Sequence, residues 1–169
     1  MNIFVTDVCP EISARTQCDK HVVKMVLESA QMLSTAWRIC APEEAERRQL
    51  YKAAYMKHPC TQWVQQSAKN YRWLYDHFVA LCDEYSHRYK KTHSCARLLS
   101  ALDDIPYRAS YCSDWGSKGI KLTPFAQAMP DQYKNDCAYT AYRNYLVAEK
   151  SHFAKWEKDP SRKPTWWNN

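Results

Sequence analysis

Between Cys18 and Trp37 the chain repeats with a helical period on two faces at once. With His21 set at zero on a helical wheel, Val22, Val26, Ala30, Leu33 and Trp37 fall between about 100° and 180°, which makes one core stripe. His21, Met25, Glu28, Met32 and Thr35 fall within about 40° of zero and make a second face, partly apolar and partly ionisable. His21 and Glu28 lie about 10.5 Å apart along such an axis, too far for a direct hydrogen bond and near enough to line one cleft. The plainer alternative pairs Glu28 with Lys24, four residues before it, on an exposed face, with His21 packed in a corner.

The rest of the chain fits around this helix as one all-α domain spanning residues 1–169. Gly116 and Gly119 are its only glycines, too few and in the wrong place for a phosphate-cradling loop, so Rossmann and P-loop chemistry are excluded. "MNIFVTDVCPE" has no basic leader or long apolar run, and no stretch approaches the roughly eighteen apolar residues of a membrane span. A soluble protein without a membrane partner is expected, working as a monomer in the cytoplasm, that of an infected host if the chain is viral. The eight cysteines are scattered singly, which suits reduced core thiols. Cys9, Cys18 and His21, or His58 and Cys60, are conceivable zinc ligands, but no C-x-x-C pair supports them, and neither metal nor cofactor is expected.

Periodicity predicts helices from Asp19 to about Arg38 with Asp19 as N-cap, over residues 41–56 opened by Pro42, from about Thr61 to Tyr89, and from about Asn135 to Trp156. The third carries Trp63, Ser67, Tyr71, Leu74, Phe78, Leu81 and Tyr85 at threes and fours and reads as the central core helix. The last is expected to bury Tyr139, Tyr142, Leu146 and Phe153. "IFV" near the start is a short extended segment, "CARLLSAL" a single helical turn, and the rest of 92–134 loops. Pro160 and Pro164 leave an aromatic tail.

The formal net charge is +6, and cations gather with aromatics in "RYKKTH" (88–93), "KSHFAKWEK" (150–158) and "SRKPTWW" (161–167). Cations hold phosphates and aromatic faces stack bases, so the mixture suits nucleic acid. Any one cluster is better explained as a solvated helix face with snorkelling lysines, and it is the three together that favour nucleic acid.

Asp19-x-His21 followed by Glu28 on the first long helix resembles the pyrimidine-dimer DNA glycosylases of the T-even phage endonuclease V type. "MNIFV" lies on that family's short start and "KPTWW" (163–167) on its aromatic terminus, while "WLYDHFVALCDEY" (73–85) matches its central helix only in character. The resemblance implies a DNA N-glycosylase, with an associated AP-lyase step, that acts on a damaged or modified base in duplex DNA. Its nucleophile is the chain's own terminal amine, here that of Met1, attacking the sugar C1′. Glu28 would stabilise the oxocarbenium-like sugar and shuttle protons, and His21 would orient nearby. An α-amine, ordinarily titrating near about 7.7–8.0, keeps roughly a tenth of itself as free nucleophile at neutral pH, far more than an ordinary lysine.

Three of the family's arginines correspond here to Asn2, Leu27 and Gln31. Candidate substrate-binding residues are Asn2, Lys24, Gln31, Arg38, Lys163, Trp166 and Trp167, with His58, Tyr107, Tyr111 and Trp115 as further possibilities in loops. Two other functions are compatible with the same residues: an N-glycosidase acting on a nucleotide or dinucleotide, and a non-catalytic nucleic-acid-binding or protein-binding relative.

Overall fold

The computed structural model describes residues 1–106 and 121–167. Two 22-residue helices, α2 (Asp19–Cys40) and α5 (Ala68–Tyr89), pack against each other and carry the core. Short helices α1 (Pro10–Arg15), α3 (Pro42–Arg47) and α4 (Pro59–Val64) lean on this pair, with α6 (Leu99–Leu102) and α7 (Ala138–Lys150) following. Among the described residues there is no strand, and the all-α class holds.

Helix α2 is enclosed on both of the faces that its periodicity marks. Val22, Val26, Ala30, Leu33 and Trp37 are buried, and so are His21, Met25, Glu28, Met32 and Thr35. Exposure is confined to a strip through Lys20, Val23, Lys24, Leu27 and Ile39. On its core side the Trp37 indole donates to the Tyr71 hydroxyl at 2.9 Å, which donates to Leu102 O at 2.9 Å, tying α2, α5 and α6 through polar groups that have no access to water.

Several boundaries differ from the sequence expectation, each for a local reason. Cys18, not Asp19, is the N-cap of α2; Asp19 is already helical and its carboxylate pairs with Arg88. The helix expected over 41–56 stops at Arg47, because Gln49 turns left-handed (φ 54°). The Leu50 N–H then closes on Ala45 O and the Gln49 N–H on Glu46 O, a Schellman closure made without glycine. The helix expected from Thr61 to Tyr89 is two, since Ser67 is extended and its hydroxyl caps α5 by accepting the Asn70 N–H at 3.1 Å. Helix α7 is shorter than expected at both ends, with Phe153 beyond its last turn; Tyr139, in its first turn, is exposed rather than buried. Helix α1, in "PEISAR", was not foreseen.

The start of α2 is held by a buried ionic cluster. Arg88 lies 2.9 Å from Asp19 Oδ1 and 2.7 Å from Glu84 Oε1, and its remaining donors reach Gln17 O and Arg15 O. Asp19 Oδ2 accepts the Lys158 N–H at 3.1 Å, and Glu84 also meets Arg162 at 3.0 Å, so the cluster binds the C-terminal segment too. Removing one member leaves buried carboxylates without their shared cation. Arg88→Leu is expected to lower the unfolding free energy by about 3–5 kcal/mol, read as a fall in the guanidinium midpoint.

Candidate active site

The first six residues are threaded through the protein and held by a set of side-chain hydrogen bonds. Asn2 Oδ1 accepts the Ile3 and Phe4 N–H groups at 2.8 and 3.2 Å, and its Nδ2 donates to Ala128 O at 2.8 Å. Gln17 donates to Ile3 O, the Thr6 N–H donates to the Ser13 hydroxyl, and Arg143 donates to Thr6 O. Phe4 is left-handed (φ 56°), a conformation costing about 1–3 kcal/mol for a bulky residue. Its ring stacks on His21 with centroids 4.5 Å apart and planes 19° from parallel.

This threading brings the chain's first nitrogen to Glu28. Oε2 of Glu28 accepts the Asn2 backbone N–H at 2.7 Å and lies 3.8 Å from the Met1 ammonium, while Oε1 is 3.4 Å from Lys24 Nζ. The ion pair of the plainer sequence reading is therefore present, and the carboxylate meets the chain end as well. The Met1 side chain is 1% exposed, and its sulfur accepts the Thr61 hydroxyl at 3.4 Å. The residue as a whole is only half-buried, so its accessible part is the main-chain end.

A cavity of about 580 Å³ opens over this point. Lys20, His21, Lys24, Met25 and Glu28 of α2 form one wall, Met1, Asn2 and Phe4 the floor, and Ala128, Tyr145, Lys150 and Phe153 the opposite side. Phe153 meets His21 edge-on at 5.4 Å, and Lys20 Nζ sits 5.3 Å from the Phe153 ring centre. Burial, followed by the nearby charges of Lys150 and Lys24, pushes the His21 pKa down to about 4. At neutral pH His21 is an uncharged aromatic plate.

The other sequence candidates lie elsewhere. Gln31 is half-buried on α2 and does not line the cavity. The Arg38 guanidinium, expected near phosphate, is taken up by Tyr51 O at 3.0 Å, Leu50 O at 2.6 Å and the Glu46 carboxylate. Trp167 packs edge-on against Trp156 at 4.9 Å and Trp166 lies under Arg143, so the aromatic tail docks on the protein. Lys163 is exposed beside a separate small cleft with Ile12 and Arg15. His58 caps α4 through Nδ1, which accepts the Cys60 N–H at 3.2 Å. Tyr107, Tyr111 and Trp115 lie outside the described residues. The cavity residues that sequence reading missed are Phe4, Lys20, Ala128 and Tyr145; Lys150 and Phe153 stand in one of the basic-aromatic clusters.

Among the described residues no group of three or more His, Cys, Asp or Glu side chains is arranged to hold a metal ion, and no helix is long and apolar enough to cross a membrane. Cys9 donates to Glu11, and Cys60 is buried beside Asn2 and Tyr142.

A family model described as pyrimidine dimer DNA glycosylase matches residues 1–97. The chain belongs to that family. Membership makes this glycosylase a DNA repair enzyme with DNA as its substrate. The matched region holds Met1, Asp19, His21 and Glu28, whereas Tyr145, Lys150 and Phe153 lie beyond it. No curated protein and no solved structure matches the chain.

The depressed His21 value has a measurable consequence. An unfolded histidine titrates near about 6.5, so between roughly pH 4 and 6.5 the unfolded glycosylase binds a proton that the folded one refuses. Stability must rise with pH through that window, and His77, fully buried and also pushed down to about 4, acts in the same direction. In denaturant titrations from pH 4.5 to 7, His21→Gln is expected to flatten the slope by up to about 1.4 kcal/mol per pH unit, leaving the share of His77 in place.

Proposed function

We propose that the α-amine of Met1 is the nucleophile of a DNA N-glycosylase with an associated lyase step, and that Glu28 is its acid–base partner. The observation that carries this reading is the 3.8 Å separation of Met1 N from Glu28 Oε2 at the floor of an open cavity, with the methionine side chain buried behind it. A nucleophile needs a base within reach and a fixed approach, and the buried thioether together with the Asn2–Glu28 bond supplies both.

In the proposed reaction the amine nitrogen bonds to C1′ as the glycosidic C1′–N bond breaks, and that bond's electron pair leaves on the base, which takes up a proton. The C1′–O4′ bond then opens with a proton delivered to O4′, and the nitrogen loses its remaining acidic proton to give an imine. Glu28 is the group that carries these protons and faces the positive charge that develops on the sugar. Loss of a C2′ proton from the imine with departure of the 3′ phosphate completes the lyase step.

Lys20, Lys24 and Lys150 rim the cavity and are the proposed phosphate ligands, in place of the arginines that Asn2, Leu27 and Gln31 replace. Neutral His21, packed between Phe4 and Phe153, backs an uncharged aromatic wall facing an extruded nucleotide. Since Tyr145, Lys150 and Phe153 close the far side of the cavity, the proposed working unit extends over both halves of the chain.

Borohydride reduction in the presence of abasic-site duplex DNA is expected to join the protein to DNA through residue 1, as peptide mass spectrometry would show. A chain lengthened by one residue at its amino terminus should not be trapped, and Glu28→Gln should slow base release by about a hundredfold or more. Equal trapping of the lengthened chain would overturn the assignment of the amine.

A further inference from the structure

Linked to the cavity through α2 and α4, the structure holds an exposed apolar tip that the proposed chemistry leaves unused. Tyr55 is 68% exposed and Met56 52%, which makes Tyr55 the most exposed large apolar side chain among the described residues. Tyr55 is held left-handed (φ 49°), and the His58 N–H donates to Tyr55 O at 2.9 Å, so the two side chains crown a tight turn.

The turn is mounted on the helix that carries Glu28. Arg38 grips Leu50 O and Tyr51 O at its base, and the buried Thr35 hydroxyl accepts the Ala54 N–H at 3.1 Å. Thr35 lies two helical turns from Glu28 on the same face, about 10.5 Å along the axis. On its other side the turn runs into α4, whose Thr61 holds the Met1 sulfur. His58, two residues past the tip, feels the charges of both the chain's amine and Glu28. Exposed lysines, Lys52 and Lys57, flank the apolar pair.

We infer that the Tyr55–Met56 tip is a wedge that enters the base stack of duplex DNA beside the nucleotide taken into the cavity. An extruded base leaves a gap whose neighbours lose their stacking partner, and an aromatic ring with a flexible thioether restores that contact while Lys52 and Lys57 meet the flanking phosphates. The gripping of 50–54 by Arg38 and Thr35 gives the tip a rigid base, which a side chain that must push into a duplex requires. This inference rests on the glycosylase reading of the neighbouring cavity. The partner it commits to is duplex DNA at a point of base extrusion.

The test uses an abasic-site duplex with 2-aminopurine next to the lesion and the Tyr55→Ala/Met56→Ala double variant. The wild-type protein should lower 2-aminopurine fluorescence on binding, as the inserted ring stacks on it. The double variant should give no fall and bind the duplex about tenfold more weakly, with unchanged affinity for the single-stranded abasic strand. Tyr55→Phe/Met56→Leu should restore both readouts. The inference is overturned if wild type gives no fall, if the double variant keeps it, or if the substitutions only convert a dimer to a monomer. Borohydride trapping on the single strand needs no wedge and the fluorescence fall needs no covalent step, so failure of the amine chemistry would show separately.

Discussion

One hydrogen bond organises the cavity of this molecule: the Asn2 backbone N–H donating to the Glu28 carboxylate at 2.7 Å. A chain end is ordinarily the least ordered part of a protein, because few contacts offset its conformational entropy. Here a buried carboxylate needs compensating donors, and the first two residues supply an N–H and an ammonium on one oxygen while Lys24 faces the other. The requirement is mutual. Glu28 needs the chain end near it, and the chain end is positioned only because Asn2, Gln17, Ser13 and Arg143 hold the following residues in place.

That constraint explains why α2 has two buried faces. Its core stripe meets α5, as in any helical protein, but the face with His21, Met25 and Glu28 is covered by the threaded amino terminus, a layer only one chain thick. A layer so thin leaves room above it, and α7 with Phe153 closes that room into a cavity. The Arg88 cluster anchors the other end of this arrangement, fixing where α2 begins and so which residues reach the floor.

The spacing of His21 and Glu28 made their common face legible in the sequence, since a 22-residue helix obeys its period whatever packs against it. The helix ends were not legible in the same way. Left-handed closures fall at Gln49 and Lys90, and the turns at Phe4 and Tyr55 are also made without glycine, so the residue that usually marks such positions is missing from all four. Arg38 illustrates a different limit. A cation on the correct flank of the helix reads as a phosphate ligand, but only the folded loop reveals that backbone carbonyls at Leu50 and Tyr51 claim it first. The opposite wall of the cavity was hidden for a third reason, because Ala128 and Tyr145 arrive from more than a hundred residues away along the chain.

The balance of charge around the cavity follows from the same packing. Three lysines rim a space whose floor holds one carboxylate, and the histidine between them is kept neutral by burial first and by Lys150 and Lys24 second. A charged His21 would face the like charges of Lys150 and Lys24 from a buried position. With His21 neutral, the positive charge around the cavity sits on the lysines, while Glu28 meets the chain end beneath them. The separation is geometric: long lysine side chains carry their charge outward, with Lys24 68% exposed, while the glutamate stays 10% exposed beneath them. On the proposed chemistry, an anionic backbone and a developing sugar cation would be met in one site by groups of opposite sign, with the phosphates along the rim and the sugar toward Met1.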